Sequence, residues 1–192
     1  MVSHIGQYPD HVQGVILSGS NGKEGALLNA GIAIATMEAA LRGDHFRSLL
    51  LTALSFGSFN TKFKPNRTPF DWLSRDEREV DAYINDPYCG AVFTSGYFRD
   101  FFRGLKEIHH PQHLSRIRKD IPIYIFSGED DPVGGQGKGV RRLINTYEQL
   151  GIKDISYTLY PGGRHEMLNE TNRDEVMRDI VARLDSWVGV GR

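Results

Sequence analysis

The sequence predicts an α/β fold built on a parallel sheet, because short apolar runs alternate with amphipathic helical segments. Runs at about 13–18, 121–127 and 154–160 have the length and composition of strands. Helical periodicity follows the second and third runs closely. The long stretch between the first and second runs contains no strand-like segment. The fold class that we predict is therefore three parallel strands with flanking helices and a helical lid insertion.

Composition excludes several classes of function. A net charge of −1 offers no electrostatic basis for binding nucleic acid or an anionic membrane. The most apolar window is too short to span a bilayer, and the first residues do not resemble a signal peptide. The single cysteine, Cys89, excludes an intrachain disulfide and favours a reducing, cytoplasmic location. We expect no cofactor and no metal.

The first part of the chain, residues 1–42, predicts a core strand and helix. The strand Gly14-Val-Ile-Leu-Ser18 has the apolar character of a strand buried on both faces. A flexible loop follows, and a helix is expected from Glu24 to Leu41. The side chains that we expect along its packed side are Leu27, Leu28, Ile32, Ala35 and Ala39.

Residues 43–117 have a different character, with aromatic side chains spread among polar ones. Ser74-Arg-Asp-Glu77 has the pattern of a capping box that opens a short helix. A second helix is predicted from Thr94 to Ile108, with aromatic residues on one side. We interpret the segment as a lid in which Phe98, Phe101 and Phe102 line an acyl pocket, although core packing in a plain helical subdomain explains them equally well.

Residues 118–192 return to the strand and helix pattern. Lys138 to Leu150 predicts a helix that ends at a glycine. The third strand alternates apolar and polar residues, which is typical of a strand near a sheet edge. The last helix begins at Asn172, and its predicted buried residues are Val176, Ile180, Leu184 and Val188.

Two chemically useful side chains follow consecutive strands. Asp131 comes after the second strand, and His165 lies in a glycine-rich loop after the third. The carboxyl ends of parallel strands gather ligands and catalytic groups, so we expect the two to meet there. The aspartate would orient the imidazole, and the histidine would act as a general base. Taken alone, a loop histidine is as readily an ordinary surface residue.

These segments carry a family resemblance. Gly128-Glu-Asp-Asp131-Pro-Val133 and Tyr160-Pro-Gly-Gly-Arg-His165-Glu resemble the acid and histidine motifs of α/β-hydrolases. The chain is most similar to the lysophospholipase and monoacylglycerol-lipase-like group, often labelled serine aminopeptidase S33. The segments 68–76 and 86–90 also resemble bacterial members. The resemblance implies that Asp131 is the triad acid, that His165 is the triad base, and that the substrate is an ester.

One feature of that family has no counterpart. No serine of this sequence lies in Gly-x-Ser-x-Gly, the nucleophile elbow. The resemblance therefore implies the C-terminal part of a hydrolase, beginning just after the elbow, with an exposed edge on the first strand open to pairing. Ser18-Gly-Ser20-Asn-Gly22 differs from the elbow only at its first glycine, which keeps Ser20 as an alternative nucleophile.

We therefore expect a serine hydrolase that cleaves lysophospholipid-like or monoacylglycerol-like esters and whose serine lies outside this sequence. The alternative is a non-catalytic remnant that binds a partner or a lipid. His109, His110 and His113 have metal-ligating character, but an exposed helix end explains them better. Gly134-Gly-Gln-Gly-Lys-Gly139 is similar to a phosphate-binding loop but lacks its first glycine and its hydroxyl residue, so we interpret it as a flexible loop beside Asp131.

Overall fold

The structure, a computed structural model, describes residues 2–23 and 25–189. The predicted helix start at Glu24 lies outside the described residues. The strands β1 (Val15–Ser18), β2 (Ile123–Gly128) and β3 (Ile155–Tyr160) form a parallel sheet in the order β1-β2-β3. The predicted three-stranded parallel sheet with flanking helices is confirmed.

The helices of the described ranges lie before, between and after these strands. Their bounds are α1 Val2–Gln7, α2 Ala26–Arg42, α3 Leu49–Phe56, α4 Glu77–Asn85, α5 Ser95–Ile108, α6 Pro111–Leu114, α7 Lys138–Gln149 and α8 Arg173–Val188.

The central strand β2 carries the core, because every one of its residues is buried. Successive side chains of a strand point to opposite faces of the sheet. Ile123 and Ile125 accordingly join a cluster with Val140 and Leu143 of α7. On the other face, Tyr124 and Phe126 form a second cluster with side chains that include Val176 of α8. The sheet is therefore covered on both faces, as a parallel sheet requires.

The residues between β1 and β2 form a helical insertion, which we define as residues 26–117. Within it α2 packs along α5, and the lack of a side chain at Gly31 lets the ring of Phe102 approach the helix. Ala35 and Phe98 are fully buried in the same cluster. The division at residue 42 stays a prediction, because α2 shares this cluster with helices of the segment 43–117.

The insertion differs from its sequence-based prediction at two helix starts. Helix α3 was not predicted, and its N-terminus is capped by Ser48, whose hydroxyl accepts the Leu51 N–H. The predicted capping box at Ser74 is wrong: Asp76 caps α4 by accepting the Arg78 N–H. The Ser74 hydroxyl instead donates to the Asn169 carbonyl oxygen at 2.8 Å. The same hydroxyl accepts the Asp76 N–H at 2.9 Å, so Ser74 bonds to the residue that caps α4 and does not cap the helix itself.

Helical periodicity also misjudged which apolar faces are buried. Leu27 of α2 is 81% exposed, and Leu184 and Val188 of α8 are exposed as well. In β3, Tyr157 is exposed while its neighbour Ser156 is half-buried, which reverses the predicted faces at that point. Periodicity identifies an apolar face, but burial also needs a packing partner. No described helix is both long and apolar enough to cross a membrane.

Gly128 brings the ends of β2 and β3 into backbone contact. A Cβ atom at this position would lie 2.1 Å from the Gly163 carbonyl oxygen. The Asp130 N–H donates to that same oxygen at 2.9 Å. Only a residue without a side chain allows the loop after β2 to contact the loop after β3 in this way.

Gly128→Ala should therefore lower the free energy of unfolding by about 3 kcal/mol, because the backbones would have to separate. Urea denaturation followed by circular dichroism measures this change. Gly104→Ala is the matched control: a Cβ there meets no atom within 4 Å, and alanine should stabilise α5 by about 0.5–1 kcal/mol. Equal stability of the two variants would contradict the proposed backbone contact.

Candidate active site

Asp131 lies in the turn that follows β2, and its carboxylate is fully buried. The Val133 N–H donates to Oδ1 at 2.8 Å, and the Ser127 hydroxyl donates to Oδ2 at 3.1 Å. A buried carboxylate needs such donors to offset the loss of its hydration. The side chain is therefore held in one orientation by its own loop and by the end of β2.

His165 lies in the loop after β3, and the structure brings it to Asp131. Nδ1 of the imidazole is 3.1 Å from Oδ2 of Asp131, and the side chain is 28% exposed. An ionised carboxylate only accepts hydrogen bonds, so Nδ1 of the imidazole carries the proton and donates it. Nε2 of the neutral ring is then left with its lone pair, the state that a general base requires.

Two neighbours restrict the imidazole further. The ring of Trp72 lies 5.4 Å from the imidazole, centroid to centroid. Gly19 follows β1 with a φ of +54°, and a Cβ atom there would lie 3.0 Å from Nδ1 and Cε1 of the imidazole. The carboxyl ends of β1, β2 and β3 therefore all contribute to the surroundings of His165.

Ser20 lies next to Gly19, in the loop that faces the imidazole. Its hydroxyl donates to the Ser18 carbonyl oxygen at 3.4 Å. A nucleophile has to contact Nε2 of the imidazole, whereas Gly19 contacts the edge formed by Nδ1 and Cε1. A nucleophilic role for Ser20 stays a prediction.

The aromatic residues predicted for an acyl pocket occupy different environments. Phe98 is fully buried between α2 and α3, and Phe102 is half-buried against Gly31. Phe101 is exposed and stacks on Tyr97. Of these residues, Phe101 is exposed and so accessible to an acyl chain. Phe98 packs in the core of the insertion.

Glu170 is a residue whose importance sequence reasoning missed. Its carboxylate is fully buried and pairs with Nε of Arg75 at 2.8 Å. It also accepts the backbone N–H groups of Arg75, Arg164 and Thr171 at 2.9–3.1 Å. A single carboxylate thus joins the helical insertion to the loop that follows β3 and contains His165. We call residues 161–166 the histidine loop. Nothing in the local sequence separates this glutamate from a surface one, because its main partner is distant along the chain.

Arg164 strengthens the same connection. Its guanidinium donates to the carbonyl oxygens of Asp71 and Ser74 and lies over the ring of Phe63, 4.3 Å from the centroid. Burial lowers the pKa of this guanidinium, and the nearby carboxylate of Glu170 opposes that shift.

The backbones of the same two segments also bond to each other. The His165 N–H donates to the Trp72 carbonyl oxygen at 3.3 Å, and the Glu166 N–H donates to the Leu73 carbonyl oxygen at 2.8 Å.

Two clefts lie beside this junction. The smaller has a volume of about 140 Å³. Charged residues predominate in its lining, which consists of Phe63, Pro65, Arg67, Asp71, Ser74, Arg75, Glu77, Val80 and Arg164. The larger, of about 460 Å³, is open to solvent and bordered by Ser58, Phe59, Thr61, Lys62, Gln136 and Lys138.

The histidine cluster does not form a metal site in the described part of the chain, where no group of three ligating side chains comes together. His109 is buried, not exposed as predicted, and its Nδ1 lies 3.0 Å from the Leu105 carbonyl oxygen. His113 pairs with Glu107 at 2.8 Å. The expectation that the histidines at this helix end are exposed is therefore wrong for His109.

Comparison with known families agrees with this geometry. A family model described as serine aminopeptidase, S33, matches residues 1–172. The chain belongs to the serine aminopeptidase S33 family. It is an α/β-hydrolase, as the acid and histidine motifs predicted.

Solved structures of α/β-hydrolases resemble this S33 chain over nearly its whole length. A thermostable carboxyl esterase from Bacillus coagulans, in complex with glycerol, is 25% identical with a TM-score of 0.86 over 97% of this chain. A monoacylglycerol lipase from Paleococcus ferrophilus is 21% identical with a TM-score of 0.66 over 97% of this chain. This chain covers 61% and 63% of those two proteins, so it corresponds to part of their fold.

Glu170→Gln should lower the free energy of unfolding by about 3 kcal/mol, since one carboxylate oxygen becomes an NH₂ group facing N–H donors. Thermal or urea unfolding measures the loss. Glu166→Gln is the matched control, because that side chain accepts one exposed hydrogen bond, from Asn169, among the described residues and should change stability by less than about 0.5 kcal/mol. Similar losses in both variants would refute the anchoring role of Glu170.

Asp131→Asn should disturb the tautomer of His165. In the unmodified chain, ¹⁵N NMR of the neutral imidazole should report a protonated Nδ1 and an unprotonated Nε2. The amide of asparagine both donates and accepts, so the variant should populate both tautomers. Asp130→Asn, one position away, should leave the His165 signals unchanged. A protonated Nε2 in the unmodified chain would show that Asp131 does not orient the ring.

Proposed function

We propose that this chain supplies the acid and the base of a serine hydrolase that cleaves carboxylic esters. The observation that carries the proposal is the hydrogen bond between buried Asp131 and half-exposed His165, at the carboxyl end of a parallel sheet. This is the arrangement in which an imidazole is oriented and its cationic form is stabilised. Membership of the S33 family supports the same reaction class.

The reaction follows from the position of the protons. Nε2 of His165 accepts the proton of the serine hydroxyl, and the serine oxygen attacks the ester carbonyl. The imidazolium, stabilised by Asp131, then protonates the leaving alcohol. Water, deprotonated by the same imidazole, releases the acid and restores the serine. Both the serine and the oxyanion-hole donors come, in this proposal, from a segment outside these 192 residues, since no Gly-x-Ser-x-Gly occurs within them.

The free edge of β1 is the position where we expect that segment to join. β1 pairs with β2 on one side and, within the described residues, with no strand on the other. A further parallel strand there would end beside Gly19, where an added Cβ atom would lie 3.0 Å from the imidazole. A serine in the turn after such a strand would therefore lie at the same edge as His165.

We further propose that the substrates are lipid-like esters, of the lysophospholipid or monoacylglycerol type, and that the helical insertion acts as their lid. Support comes from the similar structures, which are a carboxyl esterase and a monoacylglycerol lipase. Exposed apolar side chains on the insertion, among them Leu27, Leu49 and Phe101, are suited to contact an acyl chain. The single cysteine favours a cytoplasmic location.

A second candidate retains catalysis within this chain, with Ser20 as the nucleophile. The observation that favours it is the position of Gly19, the residue before Ser20: a Cβ atom there would lie 3.0 Å from the imidazole of His165. The remaining alternative is a non-catalytic chain that binds a partner or lipid.

The test measures hydrolysis of a chromogenic short-chain ester by the purified chain, alone and mixed with the part of the Bacillus coagulans esterase that this chain does not cover. We expect no activity above the uncatalysed rate from the chain alone. The assembled pair should be active, and His165→Ala should abolish that activity. Asp131→Asn should reduce it by about 10⁴-fold, as in other triads, while Ser20→Ala should leave it unchanged.

Other outcomes separate the alternatives. Activity of the chain alone that is lost in Ser20→Ala would establish Ser20 as the nucleophile. An assembled pair, demonstrated by size-exclusion chromatography, that hydrolyses no ester would favour a non-catalytic role.

A further inference from the structure

We propose that the larger cleft is a subsite for an anionic phosphate group of the ester substrate, with Lys62 and Lys138 as its cationic ligands. The inference rests on the proposed ester hydrolase function and adds a substrate class to it. The two lysines are distant in sequence and belong to different parts of the fold: Lys62 to the helical insertion and Lys138 to the first turn of α7.

A chain of ring contacts links the cleft to the candidate base. One of its walls is the 3₁₀ turn Phe59–Phe63, and the other is the glycine-rich loop that follows Asp131. The ring of Phe59 lies 5.0 Å from that of Trp72, and Trp72 lies 5.4 Å from the imidazole of His165. Two aromatic contacts therefore connect the cleft to the base, so a molecule that reaches both must carry its ester and its anionic group on one short scaffold.

The lining of the cleft is rich in hydrogen-bonding groups and includes two lysines, of which Lys62 has its charge partly offset by Asp130. Two of the six lining residues are lysines, and none is acidic. Hydroxyls of Ser58 and Thr61 and the carboxamide of Gln136 are the other polar side chains. Phosphate oxygens are strong acceptors that suit such a combination of ammonium and neutral donors.

Lys62 keeps binding capacity despite its ion pair. Its ammonium pairs with Asp130, a residue that does not line the cleft. An ammonium carries three N–H donors, and one of them satisfies this pair. The Lys62 side chain is still 48% exposed, so its remaining donors are accessible. Asp130 thus holds Lys62 at the cleft without occupying it.

The loop that forms the second wall has an unusual backbone. Among the described residues, Gln136 is the one non-glycine residue with a positive φ, +51°. Its N–H donates to the Asp131 carbonyl oxygen at 2.8 Å, which ties the strained position to the candidate triad acid. Strain of this kind persists where surrounding contacts enforce it, commonly at binding sites. Residues 134–139, whose sequence is similar to a phosphate-binding loop, therefore form a wall of the cleft that this hydrogen bond joins to Asp131.

This chemistry separates the two substrate types of the proposed function. A lysophospholipid-like ester carries a phosphate, whereas a monoacylglycerol carries only hydroxyls in its place. Two ammonium groups gain little from neutral hydroxyls but much from a phosphate. We therefore assign phosphate-bearing esters, over uncharged glycerol esters, to this site.

The test is a titration of the ¹⁵N-labelled chain with glycerol 3-phosphate, inorganic phosphate and glycerol at constant ionic strength, followed by amide chemical shifts. Glycerol 3-phosphate should cause saturable shifts at residues 58–62 and 134–139, and glycerol should cause none. Lys62→Gln and Lys138→Gln should each weaken binding by about tenfold, the loss expected for one charge-assisted hydrogen bond. Lys153→Gln, at an exposed lysine before β3, should leave binding unchanged.

Three results would overturn the assignment: no saturable shift, shifts that persist in the Lys62→Gln, Lys138→Gln double variant, or inorganic phosphate binding as tightly as glycerol 3-phosphate. The last would indicate a site for the free ion instead of a substrate head group. The titration needs no nucleophile, so its outcome is separate from that of the hydrolysis assay. Hydrolysis without phosphate binding refutes the subsite alone, and phosphate binding without hydrolysis refutes the proposed reaction alone.

Discussion

The buried carboxylate of Glu170 is the interaction on which the arrangement of the site depends. Its donors come from the histidine loop and from Arg75, which is 95 positions away in the helical insertion. Burial removes the hydration of a carboxylate, which lowers the stability of the folded protein unless hydrogen-bond donors replace the water. The insertion therefore cannot separate from the histidine loop without leaving this charge unpaired, and Trp72, three positions before Arg75, is held against His165.

A second constraint acts from the sheet. Gly128 and Gly163 bring the acid loop and the histidine loop into backbone contact, and Asp131 is satisfied within its own loop before it meets His165. The imidazole is thus oriented by the sheet on one side and by the insertion on the other. The larger cleft lies between the same two parts of the fold, so the elements that orient the imidazole also shape the proposed phosphate subsite.

The pairing of Asp131 with His165 was predictable because it follows from topology: consecutive parallel strands bring their carboxyl ends to one edge. The role of Glu170 was not predictable, because a carboxylate that binds a distant arginine has no local pattern. The bond that the Ser74 hydroxyl donates to the Asn169 carbonyl oxygen is another contact of this kind. Local patterns report on neighbours in sequence, and these contacts are between segments far apart in the chain.

By itself, the sequence determined the three parallel strands, the helical character of the insertion and the identity of the acid and histidine loops, because apolar periodicity and glycine-rich turns act locally. Only the tertiary structure decided which helix faces are buried, as exposed Leu27 and buried His109 illustrate. It alone also brought Lys62 to the same cleft as Lys138. The burial of a side chain and the charged groups near it depend on which segments pack against it. Those segments are distant in sequence, so local patterns do not reveal them.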